Sequence, residues 1–239
     1  MRDTKTLING LKEINITLTD KQISQLIEYY EILVERNKVM NLTAITDYEE
    51  VVTKHFIDSL SLVNAYDITK EMKVIDLGTG AGFPGIPLKI AFPNLEIVLV
   101  DSLNKRINFL NEVIEKLGLV NITAIHARAE ELGRNKEHRE KYDICVSRAV
   151  ANLATLSEYC IPFVKINGAF ISYKSGKMEE ELESSKNAVQ RLGGEVDRVY
   201  NFTLPETDME RSLIVIKKVK STLNTYPRTA GKPSKEPIR

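Results

Sequence analysis

The stretch Val74-Ile75-Asp76-Leu77-Gly78-Thr79-Gly80-Ala81-Gly82-Phe83-Pro84-Gly85 runs from an apolar segment through a carboxylate into a glycine-rich bend. Glycine has no Cβ and adopts positive φ freely, so such a bend lets the main chain approach a nucleotide-like ligand closely. The acid discriminates between ligands. Beside a pyrophosphate, Asp76 would set like charges together; beside S-adenosylmethionine, which carries an ammonium and a sulfonium, it would attract. The glycines also begin at Gly78, ahead of the Gly80-x-Gly82-x-x-Gly85 spacing that satisfies the dinucleotide pattern. Asp101 lies near the distance at which that pattern places its ribose-binding acid, so a nicotinamide dinucleotide stays the alternative ligand. A glycine turn with no ligand is the bland one. The loop favours a methyl donor.

Other candidates fall at the ends of apolar runs, where an open parallel sheet places its ligands. Asp101 can accept hydrogen bonds from both ribose hydroxyls, or cap the helix that follows at Leu103, as Ser102 also could. Ala129 can offer a backbone N–H, and Glu130 a carboxylate, to an adenine edge; Glu130 alone also reads as a first-turn acid favoured by the helix dipole. Arg148 and Lys174 end two further runs, each as a surface ion-pair partner or as an anchor for phosphate or a nucleobase. His55, a further substrate-side candidate, reads first as a helix-surface or packing histidine. Cys145 lies within an apolar run, which makes it a core thiol rather than a nucleophile. No His/Cys cluster has metal-ligand spacing, and no Asn/Asp-Pro-Pro-aromatic motif for exocyclic amines follows Ser147. The lack of an acid–base set suits an acceptor that already has a free lone pair.

Positioning these residues requires alternating strands and helices. Strands are predicted at 73–76, 96–101, 122–126, 142–147, 169–174, 195–202 and 211–219. Helices are predicted near 86–91, 105–117, 152–163 and 178–192, with Pro84 and Pro87 in a first turn. Apolar strands separated by helices imply a parallel sheet covered on both faces. The last two strands, joined by a short loop, read as an antiparallel hairpin. The expected fold is α/β, a seven-stranded Rossmann-like class I methyltransferase sheet rather than a six-stranded dehydrogenase. Residues 1–70 read as a helical extension packed on the core, with Asp20 capping one helix and Thr46-x-x-Glu49 opening another. Residues 71–220 read as the S-adenosylmethionine-dependent methyltransferase domain. Residues 221–239, Pro-rich and basic, read as an extended tail with no core of its own.

Composition excludes little. At 43% hydrophobic and 28% charged residues the chain resembles an ordinary soluble protein. With a formal net charge of +0, any nucleic-acid surface must be local. Its candidates are Lys105, Arg106, Arg148, Lys174, Lys177, Lys218, Lys220, Arg228, Lys232 and Lys235; the alternative is an ordinary solvated charge distribution. Two cysteines in apolar segments, no signal peptide and no membrane-length apolar run point to a cytoplasmic protein with no membrane partner. A monomer is expected, and no metal.

Asn41-Leu42-Thr43, His55-Phe56-Ile57-Asp58-Ser59, the Asp76–Pro87 loop, Asp101-Ser102-Leu103-Asn104-Lys105-Arg106 and Ser147-Arg148-Ala149 occur together and in order. As a set they resemble the bacterial small-subunit rRNA guanine-N7 methyltransferase family RsmG, formerly glucose-inhibited division protein B. The resemblance spans nearly the whole chain; Lys174-Ser175 departs from the Lys-Gly often found there. It implies transfer from S-adenosylmethionine to N7 of one guanine in a conserved loop of 16S rRNA, on the small ribosomal subunit. It also implies that Gly78 and Phe83 contact the cofactor, Ala129 and Glu130 its adenine, and Arg148 the cofactor side of the substrate cleft. Guanine N7 has an in-plane lone pair and needs no prior deprotonation. The tail is expected to serve rRNA and leave cofactor binding alone. An NAD-dependent oxidoreductase and a non-catalytic RNA- or ribosome-assembly-binding protein are the rival functions.

Overall fold

The computed structural model describes residues 2–148, 151–176 and 178–239. The first helices are α1 (Lys5–Glu13), α2 (Asp20–Met40) and α3 (Tyr48–Val51). A π-helical turn, Val52–Ile57, then leads into α4 (Asp58–Leu60). Both expected caps lie one residue away from their predicted positions. Thr19, not Asp20, caps α2 through a reciprocal capping box with Gln22, and Asp47, not Thr46, caps α3 by accepting the Glu50 N–H.

Strand–helix alternation follows: β1 (Lys73–Leu77), α5 (Gly85–Ala91), β2 (Glu96–Asp101), α6 (Asn104–Lys116), β3 (Ile122–His126), α7 (Ala129–Leu132), β4 (Tyr142–Ser147), α8 (Leu153–Cys160), β5 (Val164–Ser175) and α9 (Glu179–Arg191). The chain finishes with β6 (Gly194–Thr203), β7 (Glu210–Lys218) and a short α10 (Lys232–Lys235). The sheet order is β3-β2-β1-β4-β5-β7-β6. β1 to β5 are mutually parallel, and β7 enters antiparallel between β5 and β6. Between β1 and β4 the order reverses, which opens a crevice at the carboxyl ends.

Each sheet face carries its own apolar layer. One gathers Leu26, Leu33, Phe56 and Phe109 with Val74 and Leu99, so the N-terminal helices share a core with the sheet. The other gathers Ile75, Cys145, Phe163 and Phe170 with Tyr226 and Ile238. The last two residues correct the expectation of an extended, coreless tail. Tyr226 and Ile238 are buried, and the segment is pinned along its length. Arg139 donates to the carbonyls of Thr222, Leu223 and Tyr226, and Arg134 to that of Pro227. Arg228 donates to both oxygens of the fully buried Glu158.

Candidate functional site

The bend after β1 is built by its glycines and its acid. Gly78, Gly80 and Gly82 all have positive φ (70°, 62° and 101°), a conformation that side chains with a Cβ disfavour. At Gly85 the demand is space: a Cβ would lie 2.2 Å from Leu99 Cδ2 and 2.9 Å from Asp76 Oδ2. Asp76 turns inward. Its Oδ2 accepts the Thr79 hydroxyl (2.7 Å) and the Gly85 N–H (2.9 Å), tying the loop's two ends together, while Oδ1 is buried without a partner among the described residues. Burial pushes its carboxyl up to about 6, against those hydrogen bonds and the nearby Arg148 charge. Gly82 packs under Tyr29, whose hydroxyl donates to the Ala81 carbonyl.

Two clefts open along the carboxyl ends. The narrower, about 400 Å³, is lined by Gly78, Asp101, Ser102, Ala129, Glu130 and Ser147, with Gly231 and Ser234 of the tail opposite. Asp101 caps no helix. Its Oδ1 accepts the Leu103 N–H (2.9 Å), and its Oδ2 accepts the Gly80 N–H (3.0 Å) and Arg106 (3.1 Å). It thereby joins the ends of β1 and β2. Glu130 Oε1 accepts the Gly231 N–H at 2.8 Å.

The wider cleft, about 800 Å³, is lined by Lys54, His55, Asp58, Arg148, Lys174 and Arg211, among others, and meets the first at Ala151. Asp58, 4% exposed, is its hub: Arg148 reaches Oδ2 at 2.8 Å and Arg211 reaches Oδ1 at 3.1 Å. Arg148 also donates to the Lys54 carbonyl and to His55 Nδ1, both at 3.1 Å. Nδ1 thus sits 3.1 Å from both a guanidinium, which can only donate, and the Lys54 carbonyl, which can only accept, while Nε2 lies 3.0 Å from Thr43 Oγ1. Burial, reinforced by the Arg148 charge, lowers the His55 pKa to about 3, so the ring is neutral. It stacks on Phe83 at 4.4 Å, and the Arg148 guanidinium lies 5.0 Å from the same ring's centroid. Phe83 is thus a buried platform under both.

The remaining candidates scatter. Lys174 donates to the Ala151 carbonyl (2.6 Å) and to Glu181 (2.8 Å), so it braces the cleft wall. Lys105 donates to the Met40 carbonyl. Two candidates of the supposed tail surface are engaged elsewhere: Arg228 holds Glu158, and Lys218, 1% exposed, binds Ile161, Thr222 and Glu140. Lys220, Lys232 and Lys235 are exposed. Lys177 lies outside the described residues, as do Ala149 and Val150. Arg211 and Glu181, missed in the sequence, meet the cleft only through sheet order and helix packing. Arg211 is paired in register with Ser175 at the end of β5. Among the described residues no group of three His, Cys, Asp or Glu could hold a metal ion, and no helix is long and apolar enough to cross a membrane.

Sheet order, a glycine bend after β1, and acids ending β2 and opening α7 define a class I methyltransferase fold. TYW2 of M. jannaschii, solved in complex with AdoMet, shares it with a TM-score of 0.51 at 17% identity, over 64% of this chain and 72% of that one. Much nearer is the ribosomal RNA small subunit methyltransferase G of Lachnoclostridium phytofermentans, 58% identical over 238 residues, 100% of this chain and 98% of the relative. The Alkaliphilus metalliredigens protein of that description is 50% identical over 239 residues, the full length of both. The family model described as "rRNA small subunit methyltransferase G" matches residues 22–214. The chain belongs to that family.

Proposed function

We propose that this protein transfers the methyl group of S-adenosylmethionine to N7 of a guanine in 16S rRNA. One observation carries the reading: a narrow cleft with nucleoside-binding chemistry opens at Ala151 into a wide, arginine-rich one. The residues present fit the cofactor. Gly78 offers backbone at close approach, Asp101 and Glu130 offer carboxylates for a ribose diol and an adenine amino group, and Val100, Ala127 and Leu156 supply apolar walls. When bound, the cofactor supplies an electrophilic methyl on a cationic sulfur.

The chain's own contribution is placement. Both His55 nitrogens are engaged within the protein, and its lowered pKa keeps it from holding a proton near neutrality. A nucleophile that must first lose a proton would therefore find no base in His55, whereas guanine N7 needs none. Arg148, fixed on four partners (Asp58, Lys54, His55 and Phe83), is set to hold a phosphate or the guanine O6, leaving N7 free. Arg211 and Lys54 extend the positive wall for the backbone around a splayed-out base. Alignment of the two reactants in a water-poor site then supplies several kcal/mol of rate acceleration.

The test is transfer of labelled methyl from S-adenosylmethionine to small subunits lacking the modification. One guanine should take the label and become sensitive to the strand cleavage that N7-methylguanine permits. RNA binding without label would favour the non-catalytic alternative, and a response to NAD alone the oxidoreductase.

A further inference from the structure

The C-terminal segment does more than cover the sheet. It leaves β7, crosses the face carrying α8 and returns over the narrow cleft, where Gly231 and Ser234 form part of the wall. Its anchors are built for permanence. Glu158, 0% exposed, takes the backbone N–H and the guanidinium of Arg228, and Arg228 donates back to the Glu236 carbonyl. Pro233 is buried, and its carbonyl accepts the hydroxyl of the buried Thr155. The segment between these anchors presents the Gly231 N–H to Glu130 Oε1 at 2.8 Å. Gly231 sits at φ 80°, and its position has open space where a Cβ would stand.

We propose that this segment is a working wall of the cofactor pocket, with Gly231 as a positioning residue for Glu130 and Ser234 as its steric limit; the inference rests on the cofactor reading above. A carboxylate only accepts hydrogen bonds. Fixing one oxygen on Gly231 holds the group in place and leaves its second oxygen to accept from the exocyclic amino group of adenine. A 6-oxo purine at that position would set oxygen against oxygen. The tail thereby sets affinity and base identity at the nucleoside end, contrary to the expectation that it serves rRNA alone.

The test uses full-length protein and calorimetric titration with S-adenosylhomocysteine and with S-inosylhomocysteine, its 6-oxo counterpart. Gly231→Pro removes the N–H and forbids the positive φ. It should weaken S-adenosylhomocysteine binding by about tenfold, as expected for losing one hydrogen bond to a charged group, and leave the inosine compound nearly unchanged. Ser234→Phe, on an exposed residue of the wall, should weaken both. Equal losses of both compounds in Gly231→Pro, or none, would overturn the positioning role, and unchanged binding in Ser234→Phe would overturn the wall. If unaltered protein binds neither compound, the cofactor reading falls first and takes this inference with it.

Discussion

Asp58→Asn separates placement of substrate from placement of cofactor. The carboxylate is 4% exposed and divides its oxygens between Arg148 at 2.8 Å and Arg211 at 3.1 Å. Asparagine keeps one acceptor and turns an NH2 group toward the other guanidinium, donor against donor. Breaking a fully buried pair costs about 3–5 kcal/mol. Here the arginine side chains retain 17% and 20% exposure, and water screens part of that loss. A cost of about 2–3 kcal/mol follows, which for a protein of this size lowers Tm by roughly 5–10 °C. Arg148 keeps Lys54 and His55 but loses the carboxylate charge that, shared with Arg211, sets its reach. Misplacement of about 1 Å is enough to reduce methyl transfer on the order of 100-fold. S-adenosylhomocysteine affinity should hold, because Asp58 lines the wide cleft and not the narrow one. Single-turnover methyl transfer at a temperature well below the altered Tm, alongside calorimetry, makes the comparison. Full transfer rates despite the lower Tm would reduce the cluster to a structural brace and refute the reasoning.

Three further outcomes follow from individual groups. Asp76 titrates at about 6 when folded and near 3.8 when unfolded. Between those values the folded chain holds the extra proton, so stability is greatest below the unfolded value and falls by about 3 kcal/mol as pH rises through 6. Urea unfolding should show Asp76→Asn losing that slope, and an identical pH dependence in both proteins would count against the buried carboxyl. His55 should show no imidazole titration by NMR between pH 5 and 8, since its pKa lies at about 3; an inflection near 6.5 would contradict the packing described. Gly85→Ala drives a methyl into Leu99 and Asp76 and should cost about 1–3 kcal/mol by denaturant unfolding. A neutral result would show that the helix and sheet can separate cheaply there.

What could be read from residues alone was whatever local patterning decides. β2 and β4 fall at their predicted bounds because buried parallel strands are short apolar runs closed by turn residues, and the less buried edge strand β3 does so too. The glycine bend was legible for the same reason, its geometry being written in residues adjacent in sequence. The caps slipped by one residue because Thr19 and Asp20, or Thr46 and Asp47, offer equivalent oxygens, and only the chain's direction into the helix chooses. Long-range pairing was out of reach. Asp58 gathers Arg148 and Arg211 across separations of 90 and 153 residues, and the π-turn that presents His55 beside it has no period of its own. The tail misled because prolines and lysines read as solvated chain. Two apolar residues, the buried acid Glu158 and the arginines Arg134 and Arg139, all far from it in sequence or unmarked by any pattern, dock it.

A crystal structure with S-adenosylhomocysteine tests the central claim most directly. Adenine should lie against Ala129 and Glu130 and the ribose diol on Asp101. The sulfur should face the wide cleft near Ala151 and Arg148. Density for the compound elsewhere, or for NAD in its place under competition, would contradict the account.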